Sequence, residues 1–574
     1  MPKRWDISPI WSGCTEAARR LGLSPILAQV LYNRGVSDEA HARDFLHPEL
    51  NALLAPESLP GATEAAAIIV DKIRQKKPIV IYGDYDVDGI TATAILWHLL
   101  RTAGADVSFY VPHRLEEGYG LNAEALRQLH SDGADTVISV DCGVTAVDEA
   151  RIAREIGLTL IVTDHHTIGP ELPEAAAVVH PHIGDGYANR DLCGAGVAFK
   201  LAWAIAKQLC DADKVSQTYR DFLLDAMALV ALGTIADVVP LVGENRILAR
   251  FGLKSLPETH LVGLHALFET AKFGNNKIDS ERVGFGLAPR LNAAGRMGHA
   301  RLAVELLTRA DEDRAREIAI YLEEQNRGRQ TLERKIFKQA AEMIDAGNLA
   351  SDAKRGIVLA SENWHAGVIG IVASRIVDRY QRPTVMIALD NGEGQGSARS
   401  IKHFQLHNAL NDCAAHLITF GGHAMAAGLR IASDNVPAFT DAFVERANQQ
   451  LTGRDLQPSL RLDAEIDLNE LTEPMVRDLD RLGPFGSGNP KPRFASAMLE
   501  LDGEPRTVGK NGDHLQLSLS DGRTRRKAIA FRQKDMLQPL LDKRRCRVAF
   551  EPILNHFNGK TSVELQVVDI NVPD

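Results

Sequence analysis

Acidic and imidazole side chains stand directly after three short apolar runs of this chain, at residues 79–82, 136–140 and 158–163. In a parallel α/β sheet, functional groups collect at the carboxyl edge, so the side chains after these runs would meet in one crevice. Another aspartate closes the apolar run 226–236, where a charge needs a cation or a strong donor. The candidate residues are Asp84, Asp86, Asp141, Asp164, His165, His166 and Asp237.

Metal binding is the chemistry that this combination predicts. Crowded carboxylates repel one another unless cations lie between them, and mixed aspartate and histidine ligation suits Mn²⁺ better than an all-oxygen Ca²⁺ site. Two metal ions about 3.5–4 Å apart can activate a water molecule and stabilise in-line phosphoryl displacement. A single aspartate at a strand end is more often a turn former or a helix cap, and Asp88 and Asp148 are assigned that role. The clustering of the other groups favours a site that hydrolyses a phosphate ester or anhydride.

The elements that must position these residues follow from the hydrophobic pattern. Short Val/Ile-rich runs alternate with helical segments between residues 68 and 241, which predicts βαβ units around a parallel sheet. A proline-free stretch rich in Ala, Glu, Arg, Lys and Gln predicts one or two long helices, and a second α/β segment follows it. Five short strands near the end fit a small β-barrel such as an OB-fold. We therefore expect a multidomain α/β chain with a helical segment at 1–50, a parallel-sheet domain at 51–300, connecting helices at 301–349, a smaller α/β domain at 350–450 and a barrel at 455–574.

The composition of the chain argues against several classes of function. The 574 residues exceed one core and carry a net charge of -10, so any binding to nucleic acid depends on a local basic patch. Six scattered cysteines without a CxxC pair argue against a zinc ribbon or a disulfide framework. No segment has the apolar length of a membrane span, and we expect a cytoplasmic monomer. The basic patch lies in the predicted barrel, at Arg523, Arg525, Arg526, Lys527, Arg532, Lys534, Lys543, Arg544, Arg545 and Arg547.

Several motifs resemble the DHH phosphoesterase family. The sequence GDYDVDG at 83–89 and DHH at 164–166 resemble its catalytic domain, and GGHAMAAG at 421–428 resembles its accessory DHHA1 domain. The segments LAPRLNAAGRM at 287–297 and LGPFGSGNP at 482–490 resemble the single-strand-specific exonucleases of this family. The resemblance implies a DHH domain, a DHHA1 domain joined to it by a long helix, and an OB-like barrel. It further implies metal-dependent 5′→3′ digestion of single-stranded DNA in repair and recombination.

The resemblance also assigns roles to individual residues. It implies that Asp84 and Asp86 each ligate one metal ion, that Asp141 bridges both, and that His165 and Asp237 complete the pair. His166 would lie beside the metal ions, and Asp164 would orient a histidine. A pocket for the 5′ end would consist of Arg114, Tyr119, Arg290, Ser397 and Arg399, residues suited to phosphate oxygens. His423 is a candidate substrate contact, although a core or helix-capping role is nearly as plausible, and the same ambiguity applies to His365.

Two alternatives remain open from the sequence. A DHH phosphodiesterase for short oligonucleotides or cyclic dinucleotides would need the same metal ions but not the basic barrel. A non-catalytic DNA-binding scaffold would be expected to have lost its ligands, which are intact here. No GxxxxGK[ST] loop is present, which argues against ATP-driven translocation. Single-stranded DNA is the expected partner, and the resemblance suggests a single-stranded-DNA-binding protein and a helicase as further partners.

Overall fold

The computed structural model describes residues 3–113, 117–274 and 278–573. The chain divides into two compact units. Unit 1 contains the residues up to Asp6 together with Glu324–Leu460, and unit 2 contains Ile7–Glu323 together with the residues from Arg461 onward. The predicted Arg114 lies outside the described residues.

Three short helices follow one strand at the start of the chain. The strand is β1 (Arg4–Ile7), and the helices are α1 (Cys14–Leu21), α2 (Pro25–Asn33) and α3 (Glu39–Leu46). Helix α2 begins after Ser24, whose hydroxyl oxygen accepts a hydrogen bond from the Leu27 N–H. The apolar side chains of α2 and α3 share a hydrophobic core with the C-terminal barrel. The helical start of the chain is therefore part of the barrel's packing.

A five-stranded parallel sheet forms the centre of the second region. Its order is β3-β2-β4-β5-β6, and β2, β4 and β5 are almost entirely buried because helices cover both faces, whereas the edge strand β3 is not. The elements are α4 (Ala62–Arg74), β2 (Ile79–Gly83), α5 (Val87–Thr102), β3 (Val107–Tyr110), α6 (Ala123–Ser131), β4 (Thr136–Val140), α7 (Val147–Glu155), β5 (Thr159–Thr163), β6 (Ala177–Val179), α8 (Gly194–Cys210), α9 (Gln217–Ala236), α10 (Gly243–Ser255), α11 (Val262–Thr270), α12 (Ser280–Arg282), α13 (Ala288–Arg296) and α14 (Ala300–Thr308). The predicted parallel sheet is confirmed.

A long helix, α15 (Glu312–Ala346), runs from the last residues of the first part of unit 2 into unit 1. Its 35 residues contain no proline and many strong helix formers, which explains why they form a single helix. Residues of α14 and of the first part of α15 pack in the core of the parallel-sheet domain. The predicted boundaries of the connecting segment remain a prediction.

Unit 1 contains a smaller sheet of mixed direction, in the order β10-β11-β9-β8-β7. Strands β7 and β8 are parallel, and the remaining pairs are antiparallel. The elements are β7 (Ile357–Ser361), α16 (Ala366–Tyr380), β8 (Thr384–Asp390), β9 (Glu393–Arg399), α17 (Leu406–Asp412), β10 (Thr419–Gly422), β11 (Ala426–Ala432) and α18 (Val436–Gln450).

The C-terminal region is a β-barrel. Strands β15, β17, β18, β20 and β19 pair in that order, and β19 closes the ring by pairing with β15 as well as β20. Strand β12 (Ser459–Leu462) precedes the barrel and pairs with β1. The elements that follow are β13 (Ala464–Glu465), α19 (Glu473–Asp480), β14 (Phe494–Ala495), β15 (Leu499–Leu501), β16 (Arg506–Val508), β17 (His514–Ser520), β18 (Arg525–Ala530), α20 (Leu537–Lys543), β19 (Arg545–Phe557) and β20 (Lys560–Asn571). The last two strands have 13 and 12 residues and are longer than the short strands that were expected, because backbone pairing extends the hairpin through exposed polar residues that a hydrophobic pattern does not reveal.

A buried arginine joins the barrel region to the parallel-sheet domain within unit 2. Arg246 donates hydrogen bonds to the carbonyl oxygens of Phe45, Arg481 and Leu482, and its guanidinium carbon lies 3.9 Å from the centre of the Phe45 ring. Burial and the neighbouring arginines lower the pKa of Arg246 to about 9. Among the described residues, no helix has the length and apolar character needed to cross a membrane.

Candidate metal centre and active site

The carboxyl ends of three neighbouring strands bring the predicted metal ligands together. Strand β4 pairs with β2 on one side and with β5 on the other, all in parallel register. The loops after these strands carry Asp84 and Asp86, Asp141, and the segment Asp164 to His166. Asp237 joins them from the C-terminal end of α9. The convergence predicted from the sequence is therefore observed.

Asp141 has an unusual backbone conformation, with a φ of +62°. Such a left-handed conformation is uncommon for residues other than glycine and is often found at functional sites. The Asp141 N–H donates to the Thr163 carbonyl oxygen, which fixes the turn to the neighbouring strand. The start of α8 also approaches closely, since a Cβ atom added to Gly194 would lie 2.7 Å from the Asp141 Oδ1. The glycine at this position therefore makes room for the carboxylate.

Asp88 belongs to the same cluster, although the sequence analysis assigned it only a structural role. Its two carboxylate oxygens accept the N–H groups of Gly194 and Ala195 at 2.6 and 2.8 Å, where the positive end of the α8 dipole stabilises the charge. One of these oxygens lies 3.7 Å from His165 Nε2. Asp88 thus ties α8 to the site as well as lining it. In the sequence, the position of Asp88 as the third acid of the motif DYDVD could have identified it as a member of the site.

His165 lies at the centre of the cluster. Its Nε2 atom is 3.1 Å from Asp141 Oδ1 and 3.7 Å from Asp237 Oδ2. Ligand atoms within 4.8 Å of one another form three groups: Asp84, Asp86 and Asp141; Asp141, His165 and His166; and Asp88, His165 and Asp237. We refer to Asp84, Asp86, Asp88, Asp141, His165 and Asp237 as the metal cluster.

The hydrogen bonding of the metal cluster fits a bound cation. Asp141 Oδ1 and His165 Nε2 are buried and lie 3.1 Å apart, yet neither atom is in hydrogen-bond geometry with the other or with any other described residue. A buried polar atom without a partner costs free energy that a metal ligand would recover. Burial and the positive charge of His166 lower the pKa of His165 to about 3, so its imidazole is neutral and has a lone pair to offer. Neutral imidazole and carboxylate oxygens form a ligand set suited to divalent transition metals and Mg²⁺.

The carboxylates of the metal cluster are buried close enough together to repel one another. Burial and the charges of Asp88 and Asp86 raise the pKa of Asp141 well above its ordinary value. Burial and the same two neighbours raise the pKa of Asp237 to about 8, and burial with the Asp86 charge raises that of Asp88 to about 6. The folded chain therefore holds several carboxylates together at a free-energy cost that a cation would relieve.

A separate, fully hydrogen-bonded pair stands beside the cluster. Asp164 Oδ1 accepts a hydrogen bond from His166 Nδ1 at 2.7 Å, and its Oδ2 accepts the Val144 N–H at 2.9 Å. Although burial opposes both shifts, this pairing raises the pKa of His166 to about 9 and lowers that of Asp164 to about 2. His166 is therefore protonated at neutral pH, and Asp164 fixes its ring.

His180 supports this pair and was not singled out from the sequence. Its Nε2 lies 2.8 Å from the His166 carbonyl oxygen, and its Nδ1 accepts the His182 N–H at 3.0 Å. These contacts place the proton on Nε2. The signal was an apolar run, 177–179, followed by a histidine, the same pattern that pointed to the other candidates.

Two residues of the predicted 5′ pocket lie in unit 2. The Tyr119 hydroxyl is 3.3 Å from the Asp141 carbonyl oxygen and 3.2 Å from His166 Nδ1. Burial and the charges of Asp141 and Asp164 raise the pKa of Tyr119, which keeps its phenol protonated. Arg290 is held on two sides, because its Nε lies 2.7 Å from Glu323 Oε2 and its Nη1 donates to the Gly286 carbonyl oxygen at 2.6 Å.

The other predicted substrate contacts lie in unit 1. Strand β9 carries Ser397 and Arg399, and the Arg399 Nη1 donates to the Ser397 hydroxyl oxygen at 3.1 Å. His423 is exposed beyond the end of β10. The pocket as a whole remains a prediction. His365 is the N-cap of α16, where its Nδ1 accepts the Gly367 N–H. Of the two roles left open by the sequence, His365 therefore has the helix-capping one.

Family models match three segments of the chain. The N-terminal domain of the DHH family matches residues 78–234, and the DHHA1 domain matches residues 353–449. With the parallel sheet and its acidic edge, these matches define a DHH/DHHA1 phosphoesterase. The RecJ OB domain matches residues 462–569.

Full-length relatives make the assignment more specific. Single-stranded-DNA-specific exonuclease RecJ of Bacillus subtilis (strain 168) is 37% identical over 577 residues, which cover 100% of this chain and 71% of that protein. The protein of the same name from Haemophilus influenzae is 36% identical over 90% of this chain and 92% of its own length. The chain belongs to the RecJ family of single-stranded-DNA-specific exonucleases.

Solved structures agree with this assignment. The crystal structure of RecJ in complex with Mn²⁺ from Thermus thermophilus matches with a TM-score of 0.84 and 34% identity, covering 100% of this chain and 80% of that one. A structure of exonuclease RecJ bound to manganese matches with a TM-score of 0.60 and 39% identity, covering 69% of this chain and 96% of that one. The predicted fold class, a multidomain α/β chain with a parallel-sheet domain, a smaller α/β domain and an OB-like barrel, is confirmed.

Proposed function

We propose that this protein is a metal-dependent exonuclease that hydrolyses single-stranded DNA, with Mn²⁺ or Mg²⁺ as its cofactor. The observation that carries the proposal is the metal cluster, in which buried carboxylates and a neutral histidine converge and two atoms have no hydrogen-bond partner among the described residues. Family membership adds the substrate class. Relatives of the chain are named single-stranded-DNA-specific exonucleases, and solved relatives contain Mn²⁺ or Mg²⁺.

Each residue of the metal cluster has a proposed role. Asp84 and Asp86 would each hold one ion, Asp141 would contribute to both sites, and His165 and Asp237 would complete the set. When bound, two such ions supply an activated water molecule and stabilise the charge that develops on the phosphoryl oxygens. Asp88 acts through α8, because both of its oxygens are engaged by backbone N–H groups.

The Asp164–His166 pair supplies a positive charge beside the cluster. Protonated His166 can donate a hydrogen bond to a non-bridging phosphate oxygen, and the 2.7 Å contact with Asp164 keeps both the proton and the ring orientation. Tyr119, whose hydroxyl lies 3.2 Å from His166 Nδ1, is a second donor at the same place. These groups would orient the scissile phosphate without themselves reacting.

The barrel offers a surface for the strand. OB-folds bind oligonucleotides on the face of their second and third strands, which correspond to β17 and β18. On this face the exposed ring of Phe531, just after β18, lies 5.2 Å from the His514 ring. Lys527 on β18 and Arg532 just after it are also exposed. Part of the predicted basic patch is engaged elsewhere, since Arg525 pairs with Asp502 and Arg526 donates to two backbone carbonyl oxygens. The remaining basic and aromatic side chains suit a single strand.

The finer parts of the function rest on the motif resemblance. These are the 5′→3′ polarity, the pocket of Arg114, Tyr119, Arg290, Ser397 and Arg399, the contact by His423, and a role in DNA repair and recombination. A cytoplasmic location, proposed from the scattered cysteines, and a monomeric state complete the proposal. A single-stranded-DNA-binding protein and a helicase are the proposed protein partners. The polarity is the part most directly open to experiment.

The test is digestion of single-stranded oligonucleotides labelled at either end, with Mn²⁺ or Mg²⁺. We expect stepwise loss of nucleotides from the 5′ end, no reaction in chelator, and no reaction by Asp141→Asn. Asp148→Asn, an exposed aspartate on α7, is the matched control and should digest as the wild type does. Stepwise loss from the 3′ end would contradict the polarity alone.

Two outcomes would replace the proposal. Binding of the strand without cleavage under any divalent metal ion would favour the scaffold alternative. Cleavage restricted to oligonucleotides of a few residues, or to cyclic dinucleotides, would favour the small-substrate phosphodiesterase.

A further inference from the structure

The most exposed large apolar side chain among the described residues lies in the same domain as the metal cluster. Phe285 is 84% exposed and sits at the centre of a π-helical turn, Val283–Leu287, between α12 and α13. A phenylalanine left in water forgoes the favourable free energy of burial. Single π-helical turns are rare and are frequently found at functional sites. Both features call for a ligand at this ring.

The π-helical turn and α13 pack against two elements that carry residues of the metal cluster. A Cβ atom added to Gly284 would lie 3.9 Å from Ile235 Cγ2, at the end of α9 that carries Asp237. Helix α13 packs on the loop of Asp84 and Asp86, because the Asn292 Oδ1 accepts the Val87 N–H at 3.1 Å. Phe285 is therefore carried by a segment that packs against two elements bearing residues of the metal cluster.

The backbone under Phe285 is firmly held. Gly286 packs so closely on the Phe273 ring that an added Cβ atom would lie 2.5 Å from it. The Gly286 carbonyl oxygen accepts the Arg290 Nη1, and Arg290 is itself paired with Glu323. Just before the turn, the Ser280 hydroxyl donates to the Phe485 carbonyl oxygen at 2.5 Å. A backbone held in this way restricts where the ring can lie, which lowers the entropic cost of binding.

A second exposed apolar residue adjoins the metal cluster itself. Val238 follows Asp237 directly, is 66% exposed and has a φ of +63°. A β-branched residue in the left-handed region is a genuine backbone outlier, of the kind that persists at functional sites. The rim next to Asp237 is thus apolar, whereas the cluster behind it is acidic.

We propose that Phe285 is a stacking platform for one nucleobase of the single-stranded substrate next to the metal centre. A base is the occupant that fits, because every base has a π face, and an acidic site needs a binding contribution that does not depend on the charged backbone. A base within a duplex has both faces covered by its neighbours, so this contact also favours a single strand. The inference rests on the proposed function, because it takes DNA as the substrate.

The first test compares steady-state cleavage of a single-stranded oligonucleotide by the wild type and Phe285→Ala. Loss of a stacked base predicts a roughly five- to 100-fold increase in KM with kcat changed by less than about twofold. Phe285→Trp should stay near the wild type, and Phe285→Leu should resemble Phe285→Ala, because leucine is apolar but has no ring face. Ile10→Ala is the control, since Ile10 is 77% exposed in the segment between β1 and α1. Equal KM values for the wild type, Phe285→Ala and Phe285→Leu would overturn the proposal.

The second test moves a single abasic site along the strand. The wild type should show one position at which the abasic site raises KM, and Phe285→Ala should lose the sensitivity at that position alone. The same penalty at every position in both proteins would overturn the stacking contact even if Phe285→Ala bound more weakly.

A third measurement separates this inference from the proposed function. Fluorescence of 2-aminopurine placed at the sensitive position, or scanned along the strand, should be quenched by the wild type and not by Phe285→Ala, and it requires no cleavage. A wild-type protein that quenches but does not cut would contradict the nuclease proposal and retain the stacking platform. A wild-type protein that cuts while Phe285→Ala quenches equally would contradict only the platform.

Discussion

Two buried networks of ionisable side chains lie in the same domain and differ in how they are satisfied. In one, Lys200 lies 2.5 Å from Glu244 and donates to the Leu54 carbonyl oxygen, while Glu244 also accepts from Tyr187 and Asn189. In the metal cluster, Asp141 Oδ1 and His165 Nε2 have no such partner among the described residues. Burial of charge is common to both networks. Only the unsatisfied network offers atoms to a cation, because a network whose polar atoms are all hydrogen-bonded leaves a cation nothing to coordinate.

The comparison also explains why the two networks should respond in opposite ways to substitution. A carboxylate with a complete set of donors stabilises the fold, and its removal leaves its partners buried and unpaired. A carboxylate surrounded by like charges destabilises the metal-free fold, and its removal relieves that repulsion. Activity and stability should therefore separate between the networks.

The largest expected effect is on activity, for Asp141→Asn. We expect a loss on the order of 10³-fold or more, since the shared ligand supports several kcal/mol of transition-state stabilisation. In chelator, the melting temperature of Asp141→Asn should equal or exceed that of the wild type. Cleavage assays and thermal melts check both parts. A variant that lost stability as well would show that Asp141 serves the fold in the same way as Glu244.

The next largest effect is on stability, for Glu244→Gln. Leaving Lys200 buried without its counter-ion should cost about 3–5 kcal/mol of the free energy of unfolding. Specific activity of the folded fraction at low temperature should change little, because Glu244 is not part of the metal cluster. Urea unfolding and cleavage rates of the same preparation provide the measurement, and a loss of activity without a loss of stability would undo the distinction between the networks.

A smaller effect is expected for Asp164→Asn, which alters the pair beside the cluster. Removing the carboxylate that orients and charges His166 should lower kcat by about 10–100-fold, as is typical for groups that orient active-site residues. The pKa of His166 should fall from about 9, because it loses its hydrogen-bonded carboxylate. Histidine NMR titrations and steady-state kinetics in parallel would check this, and an unchanged kcat would leave Asp164 a purely structural residue.

The smallest effect concerns pH and metal ions. The pKa of Asp237 is raised to about 8 and that of Asp88 to about 6, so the folded metal-free protein binds more protons than the unfolded chain. Its stability should therefore fall as pH rises from the ordinary carboxyl range through about 8. A metal ion replaces those protons, so Mn²⁺ should raise the melting temperature more at pH 8 than at pH 6.

Thermal melts with chelator or Mn²⁺ at both pH values test this prediction. Asp237→Asn serves as the control, because it should flatten the pH dependence of the metal-free protein. A larger Mn²⁺ effect at pH 6 than at pH 8 would contradict the assignment of these carboxylates as repelling neighbours.

The sequence alone determined the fold class and most of the candidate site. Short apolar runs that end in acids or histidines are local signals, and parallel pairing brings such ends to one edge, so Asp84, Asp141 and His165 could be named in advance. The barrel could be predicted for the same reason, from short alternating strands. The length of its last hairpin could not, because cross-strand backbone pairing carries no hydrophobic signature.

Only the tertiary structure decided which polar atoms are satisfied. The hydrogen bonds from α8 to Asp88 join residues more than 100 positions apart, and those of His180 to its neighbours depend on which strands lie side by side. The pairing of Arg290 with Glu323 could not be predicted from any local pattern either. The same is true of the exposure of Phe285, which lies on a π-helical turn packed against α9. Residue types set which groups can bind a metal ion or a base, while long-range packing sets which of them are left with something to bind.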